Sequence, residues 1–438
     1  MRGKRKKLIS ICLIMSLLAA CGKKDKVDLP NVGILTSDGS GEGGDTSNAA
    51  GNRGKVVTLT PATGFEAPII TEDKSGNHEA TVDELLAAKK AAGITKDAVK
   101  RCMKEQTGRY MYDMMDDDLH TLYAEIFLIV KAHAKDILVS TTNSDDLQTA
   151  FMCVFQDHPE LFWIEGYSYG CYSRNGRTNV LTFSGKYSYS QDECNKLQSK
   201  VDSWVDKCVW GMPAGADDYE KVKYAYQYVI THTDYVLGSD DNQNILSVMI
   251  GGKSVCQGYA KALQYVLNYV DIPCTMVIGK VRGGEGHAWN LVNLDGGYYY
   301  VDPTWGDSGY LSAAGMDVSS QGEINYNYLN VTSDEIGRSH VADNVVAMPR
   351  CVATEDNYYV REGRCFGEYD EDAIRRLFDE ARTSGSRCVS FKCDDDPIYR
   401  ECVVKLLEER GIFSLLPAGV NAVDYTTDNE LNVLTFWF

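Results

Sequence analysis

Val255-Cys256-Gln257-Gly258-Tyr259-Ala260 follows a Gly251-Gly252 break and opens a run in which Ala260, Leu263, Leu267 and Val270 share one helical face. Asp271-Ile272-Pro273 then stops the run. The spacing predicts a helix with Cys256 at its N-terminus. Unpaired N–H groups and the helix dipole at such an end favour a negatively charged sulfur. Gly258 is expected to leave room for a substrate near the backbone. By itself the stretch reads more readily as a core helix, because free cysteine usually behaves as a small buried hydrophobe.

Two further stretches change that reading. Residues 274–281 form an apolar strand pattern, and a glycine-rich loop at 282–286 follows. His287-Ala288-Trp289-Asn290-Leu291-Val292-Asn293-Leu294 alternates, Asp295-Gly296 signals a tight turn, and Gly297-Tyr298-Tyr299-Tyr300-Val301-Asp302-Pro303 returns. A two-residue turn pairs Leu294 with Gly297, so Trp289 faces Asp302 and His287 faces Thr304. His287 and Asp302 then lie on the same face as diagonal neighbours, roughly 7–8 Å apart at Cα. A three-residue loop would put them on opposite faces. A thiol at a helix N-terminus with a His and an Asp on paired strands is the set of groups that nucleophilic acyl transfer needs. The thiolate attacks, the imidazole moves the proton, and the carboxylate fixes the imidazole. Each residue alone has a plain structural explanation: a half-buried histidine, or a turn acid before Pro303. The three in this order do not.

These stretches, with Val301-Asp302-Pro303-Thr304-Trp305, resemble the core motifs of the transglutaminase-like superfamily in its bacterial exported branch. The resemblance covers about residues 217–335. It implies an α+β, papain-like core in which a helix carrying the cysteine packs on an antiparallel sheet carrying His and Asp. It also implies Cys256 as nucleophile, His287 as general base and acid, and Asp302 as its orienting partner. An oxyanion hole would use the Cys256 N–H and an upstream side chain, with Gln243 or Asn244 as candidates; either could instead cap the following helix. Trp289 and Trp305 would wall the site. Members cleave or transfer acyl groups at amides through a thioester, which implies a protein or peptide substrate, cell-wall peptide among the candidates. Animal relatives use calcium, but the Asp240-Asp241 loop lacks an EF-hand pattern, so no metal and no other cofactor is expected. A metal site of Cys256, His287 and Asp302 would offer only three ligands. The alternative to an enzyme is a non-enzymatic surface module that binds wall peptides or an exported protein.

Outward from this core, the 438 residues allow two to four domains at roughly 100–200 residues each. The net charge of −18 argues against a nucleic-acid partner. Residues 1–20 have a basic start and an apolar stretch shorter than the roughly 18 residues a membrane span needs. Leu17-Leu18-Ala19-Ala20-Cys21 resembles a bacterial lipobox, which implies lipidation at Cys21 and a place on the outer face of the cell membrane, held by lipid alone. Residues 21–80 are expected to be a flexible tether, because residues 33–54 are rich in Gly, Ser, Asn and Asp.

Residues 81–210 read as an N-terminal α+β region, with capping boxes at Thr81–Glu84 and Ser190–Glu193 and a hairpin signal at Asn175-Gly176. Asp157-His158-Pro159-Glu160-Leu161-Phe162-Trp163 resembles the N-terminal region that accompanies this domain in Gram-positive homologues. Residues 211–340 are the expected catalytic domain, with a strand near 326–331. Residues 355–438 read as a small α/β module: strands at 358–361, 387–393 and 431–438, a helix at 372–382, and a helix capped by Asp396 with Pro397 in its first position. Of the 14 cysteines, Cys12 lies in the leader and Cys21 at the lipobox. The other twelve show no CxxC pair, and disulfides and reduced thiols both remain open. His120, His133 and His340 are expected to be structural or exposed. Oligomeric state is not legible.

Overall fold

A computed structural model describes residues 31–37, 55–56, 63–73, 81–174, 177–307 and 324–438. The leader, Cys21, most of the tether and the Asn175-Gly176 turn lie outside the described residues. No helix among them is long and apolar enough to cross a membrane.

The central sheet has four strands in the order Gly297–Val301, Gly286–Leu294, Cys274–Val281 and His340–Ala342, all antiparallel. Its two long strands are buried along nearly their whole length rather than in alternation, so both faces are covered. The helix Cys256–Tyr269 packs against them, and Asn290 Nδ2 donates to the Ala260 carbonyl at 2.9 Å, tying strand to helix. Leu294 pairs with Gly297 and Asn290 with Val301, as a two-residue turn requires. Asp295 and Gly296 both take positive φ, +50° and +87°, the backbone of a turn whose twist matches the strands it joins.

A second sheet orders Ile69–Asp73, Ile164–Arg174, Arg177–Tyr187 and Ile137–Leu138. The helices Lys96–Gln106, His120–Lys131 and Ser144–Asp157 supply the apolar core beside it. Both predicted capping boxes are present. Buried Asp157 joins this region to the central sheet. Its carboxylate accepts from the N–H groups of Met111 (3.2 Å) and Tyr112 (3.0 Å), and from the hydroxyls of Tyr123 (3.0 Å) and Thr275 (3.0 Å). Thr275 lies on the central strand Cys274–Val281, so one acid unites two layers.

The third sheet corrects the expected tether. Its order is Cys365–Phe366, Cys388–Cys393, Val433–Trp437, Ala422–Asp428, Asn31–Thr36 and Lys55–Val56. Asn31–Thr36 runs antiparallel to Ala422–Asp428, and Leu35 is buried in the C-terminal core. Composition missed this because a few apolar residues suffice once a partner edge exists to satisfy the backbone. Residues 63–73 are also placed, as described below.

Three local expectations are corrected as well. Tyr358–Arg361 is a helical turn, not a strand: Asn357 Oδ1 caps it from the Tyr359 N–H at 3.1 Å, and Tyr358 stacks on Tyr326 with ring centroids 4.0 Å apart. The aromatic run suggested a strand, but the cap and the packing decide for helix. Asp395, not Asp396, caps Asp396–Val403, which moves Pro397 to the second helical position. The strand near 326–331 is reduced to a single bridge between Tyr300 and Val331, next to Asn330 at φ +58°.

Leu35→Ala tests the reassigned strand. Removing this buried side chain should lower stability by about 2–5 kcal/mol, read as a shift of the denaturant midpoint. No shift would return residues 31–36 to the tether.

Candidate active site

Cys256 is the first residue of the helix Cys256–Tyr269. Val255 precedes it in extended geometry and gives no side-chain cap. The first N–H groups of this helix therefore remain available to a developing negative charge. Gly258 serves packing, not substrate approach as expected. A Cβ there would come 2.0 Å from Ser254 Oγ and 2.7 Å from Ser247 Oγ, and those two hydroxyls bond each other at 2.6 Å.

The hairpin delivers His287 and Asp302 to the same face. His287 Nε2 and Asp302 Oδ2 are 2.7 Å apart, and both side chains are fully buried. Asp302 Oδ1 accepts from the Thr304 N–H (2.9 Å) and the Trp305 N–H (3.2 Å). Pro303, with no N–H and a fixed φ, shapes that turn.

His340 was not expected here. Its Nε2 lies 3.1 Å from the same Asp302 Oδ2, its Nδ1 is 2.7 Å from Ser339 Oγ, and Ser339 Oγ is 3.1 Å from the Tyr328 hydroxyl. Nε2–H donating to the carboxylate leaves Nδ1 to accept from Ser339, which in turn accepts from Tyr328. Sequence spacing could not show this. His340 reaches the site through its own edge strand, 38 residues beyond Asp302.

Charge follows from this arrangement. Burial opposes a charge on Asp302, yet His287 and His340 together hold its carboxyl well below the usual carboxylate range. Burial likewise opposes charge on His287, but the Asp302 carboxylate, its hydrogen bond and the nearby Cys256 raise its pKa to about 10. For His340 burial wins and its pKa is lowered. The cluster thus holds an imidazolium at 287, a carboxylate at 302 and a neutral imidazole at 340. With Nε2 of His287 taken by Asp302, Nδ1 is the nitrogen left for the thiol. Nδ1 is buried, and Cys256 is among the groups that favour the charged form of this imidazole.

The tryptophans pack on the histidines. Trp305 lies 4.7 Å and Trp289 5.0 Å from the His340 ring, and Trp289 lies 5.9 Å from His287. Trp289 is therefore a wall of the dyad, and Trp305 covers its supporting histidine. Gln243 and Asn244 separate in role. Asn244 Oδ1 accepts from the Leu246 N–H at 2.8 Å, which makes it a cap. The Gln243 carbonyl accepts from Gln257 Nε2 at 2.9 Å, which holds residue 243 beside the helix Cys256–Tyr269. Among the described residues, His287, Asp302 and His340 also have the donor atoms for a metal, all within 4.8 Å of one another. The hydrogen bonds just described already use the nearest of those atoms. All twelve described cysteines are free thiols, with Cys393 and Cys402 sulfurs 3.6 Å apart.

Residues 212–303 match the family model of the transglutaminase-like superfamily. The human and mouse kyphoscoliosis peptidases are each 27% identical to this chain over 105 residues, 20% of this chain and 16% of theirs. The chain thus spans less than a fifth of the length of these curated relatives. Solved structures with a likeness include a TGase, 17% identical with a TM-score of 0.24, over 32% of this chain and 44% of that one. Another is the periplasmic domain of TgpA from Pseudomonas aeruginosa bound to ethylmercury, 16% identical with a TM-score of 0.20, over 30% of this chain and 60% of that one.

The buried pair has a signed pH dependence. A histidine whose pKa folding raises stabilises fully below its ordinary 6.5 and loses that contribution as pH rises through about 10. A carboxyl whose pKa folding lowers contributes above its ordinary 3.8 and loses that as pH falls through its folded value. The stability gap between wild type and Asp302→Asn should therefore be widest between pH 3.8 and 6.5 and narrow toward pH 10. Urea unfolding across that range measures it, and a gap independent of pH would contradict the charge assignment.

Proposed function

We propose that this chain, which carries a domain of the transglutaminase-like superfamily at residues 212–303, is a thiol enzyme acting on peptide or isopeptide amides. The observation that supports this is the fully buried His287–Asp302 bond of 2.7 Å, with Cys256 close enough to His287 to act on its charge. Orienting an imidazole with a buried carboxylate sets its tautomer and stabilises its protonated form, which a cysteine nucleophile uses.

The proposed reaction proceeds in two halves. The Cys256 thiolate attacks the amide carbonyl carbon, and negative charge develops on the carbonyl oxygen near the open helix N-terminus. The C–N bond breaks as the His287 imidazolium gives its proton to the leaving amine, which leaves an acyl thioester on sulfur. Water or a second amine then attacks the thioester. His287 takes a proton from that nucleophile, and the thiolate leaves with the C–S bond pair. Hydrolysis follows if water attacks and acyl transfer if an amine does. The relatives named as peptidases favour hydrolysis. Trp289 shields the dyad from water, which strengthens the ion pair within it.

The leader and Cys21 support a lipid-anchored position outside the cytoplasmic membrane. Proteins and peptides there, wall peptides included, are the proposed substrates. Cys256→Ala should abolish turnover of such substrates with the circular dichroism spectrum unchanged, and Asp302→Asn should reduce it on the order of 10⁴-fold. Undiminished turnover by Cys256→Ala would overturn the mechanism.

A further inference from the structure

The groups that would attack a peptide are sealed. Cys256, His287 and Asp302 are each 0% exposed. Residues 63–66, remote in sequence from all three, lie against the residues that precede two of them, Val255 and Gly286.

Thr63 anchors this segment beside His287. Its N–H donates to Glu285 Oε2 at 3.2 Å, its hydroxyl donates to the Gly286 carbonyl, and its own carbonyl accepts from the Tyr235 hydroxyl at 2.5 Å. The next contacts engage Gln243. Its Nε2 donates to the Gly64 carbonyl at 2.8 Å, and its Oε1 accepts from the Glu66 N–H at 3.1 Å. Both ends of one side-chain amide thus read main-chain groups two residues apart, as a cleft reads a bound peptide by its backbone. Sequence reasoning offered this same side chain as an oxyanion donor.

Glycine is required at 64 for two reasons. Its φ is +66°, and a Cβ would come 2.6 Å from Val255 Cγ1. Val255 immediately precedes the nucleophile. Phe65 presses on the other side: a Cβ on Gly286 would come 2.7 Å from Phe65 Cδ1, and Phe65 packs against the cluster that includes Cys256 and Ala288. The segment therefore bears on the residue before Cys256 and on the residue before His287. It forms no ladder with the central sheet. Glu66 and Ala67 are exposed, and the following strand Ile69–Asp73 is an edge strand with mostly exposed side chains. Such a segment can lift without unfolding the core.

We infer that residues 63–66 occupy the channel for the acyl donor, so that the chain holds its own site closed with a pseudosubstrate, and that the channel's ligand is a peptide with glycine, in the left-handed conformation, at the place of Gly64. This rests on the thiol-enzyme reading above. Gln243 is then a peptide-positioning residue, and opening requires displacement of the segment by a competing peptide.

The test uses the full-length protein and the rate of Cys256 alkylation by iodoacetamide, read by mass spectrometry. Gly64→Val removes the fit at Val255, and the double variant Thr63→Ala, Phe65→Ala removes the anchors without touching the glycine. Each should label about tenfold faster than wild type or more, as the open population grows. A synthetic peptide of residues 61–70 should slow labelling of the double variant, and the same peptide with valine for glycine should not. Wild-type labelling rates in both folded variants, or a peptide without effect, would overturn the inference. Adding His287→Ala separates the two readings. Fast labelling of the open variant that does not depend on His287 would sink the enzyme mechanism and leave the pseudosubstrate standing. Slow labelling that still depends on His287 would do the reverse.

Discussion

The carboxylate of Asp302 is the group on which the site depends. It is fully buried, and such a charge is tolerated only when its lone pairs are taken. Here they are taken four times: by His287 and His340 at one oxygen, and by the Thr304 and Trp305 N–H groups at the other. The four partners come from three pieces of chain. The hairpin brings His287, the turn after Val301 brings the two N–H groups, and the edge strand His340–Ala342 brings His340. Satisfying one acid therefore fixes the register of the hairpin, the shape of the turn and the docking of the edge strand.

His340 extends the usual three-residue logic. A neutral imidazole held by Ser339 and Tyr328 gives Asp302 a second donor without adding a second positive charge. The single cation of the cluster stays on His287. The tryptophans complete this by keeping water from both rings, which lowers the local screening of the ion pair. The same dryness has a consequence for access. A thiol at 0% exposure meets a molecule from solvent only if part of its surroundings moves. Of the segments around it, residues 63–66 are held by a few polar contacts and one aromatic ring rather than by a ladder.

How much was legible in the sequence depended on the range of the interaction. The helix start at Cys256 followed from local spacing, and the Asp295-Gly296 turn fixed the pairing of Leu294 with Gly297. The period of two in a strand then carried that register back to His287, which is why a contact between residues 15 apart could be read in advance. Where a cap competed with aromatic strand propensity, at Tyr358–Arg361, the cap prevailed and the reading failed. At Gly258 the missing side chain was rightly marked as significant, but its neighbour is a pair of serine hydroxyls rather than a substrate.

The sequence by itself determined the helix that presents Cys256, the hairpin that presents His287 and Asp302, and their order along the chain, because each rests on periodicity and turn chemistry within a few tens of residues. Only the tertiary structure decided that His340 joins Asp302, that Asn31–Thr36 completes the C-terminal sheet, and that residues 63–66 lie against Val255 and Gly286. Those contacts join segments far apart in sequence. What selects them is the need to satisfy a buried charge, a sheet edge and an apolar surface in space, and no local pattern encodes that need.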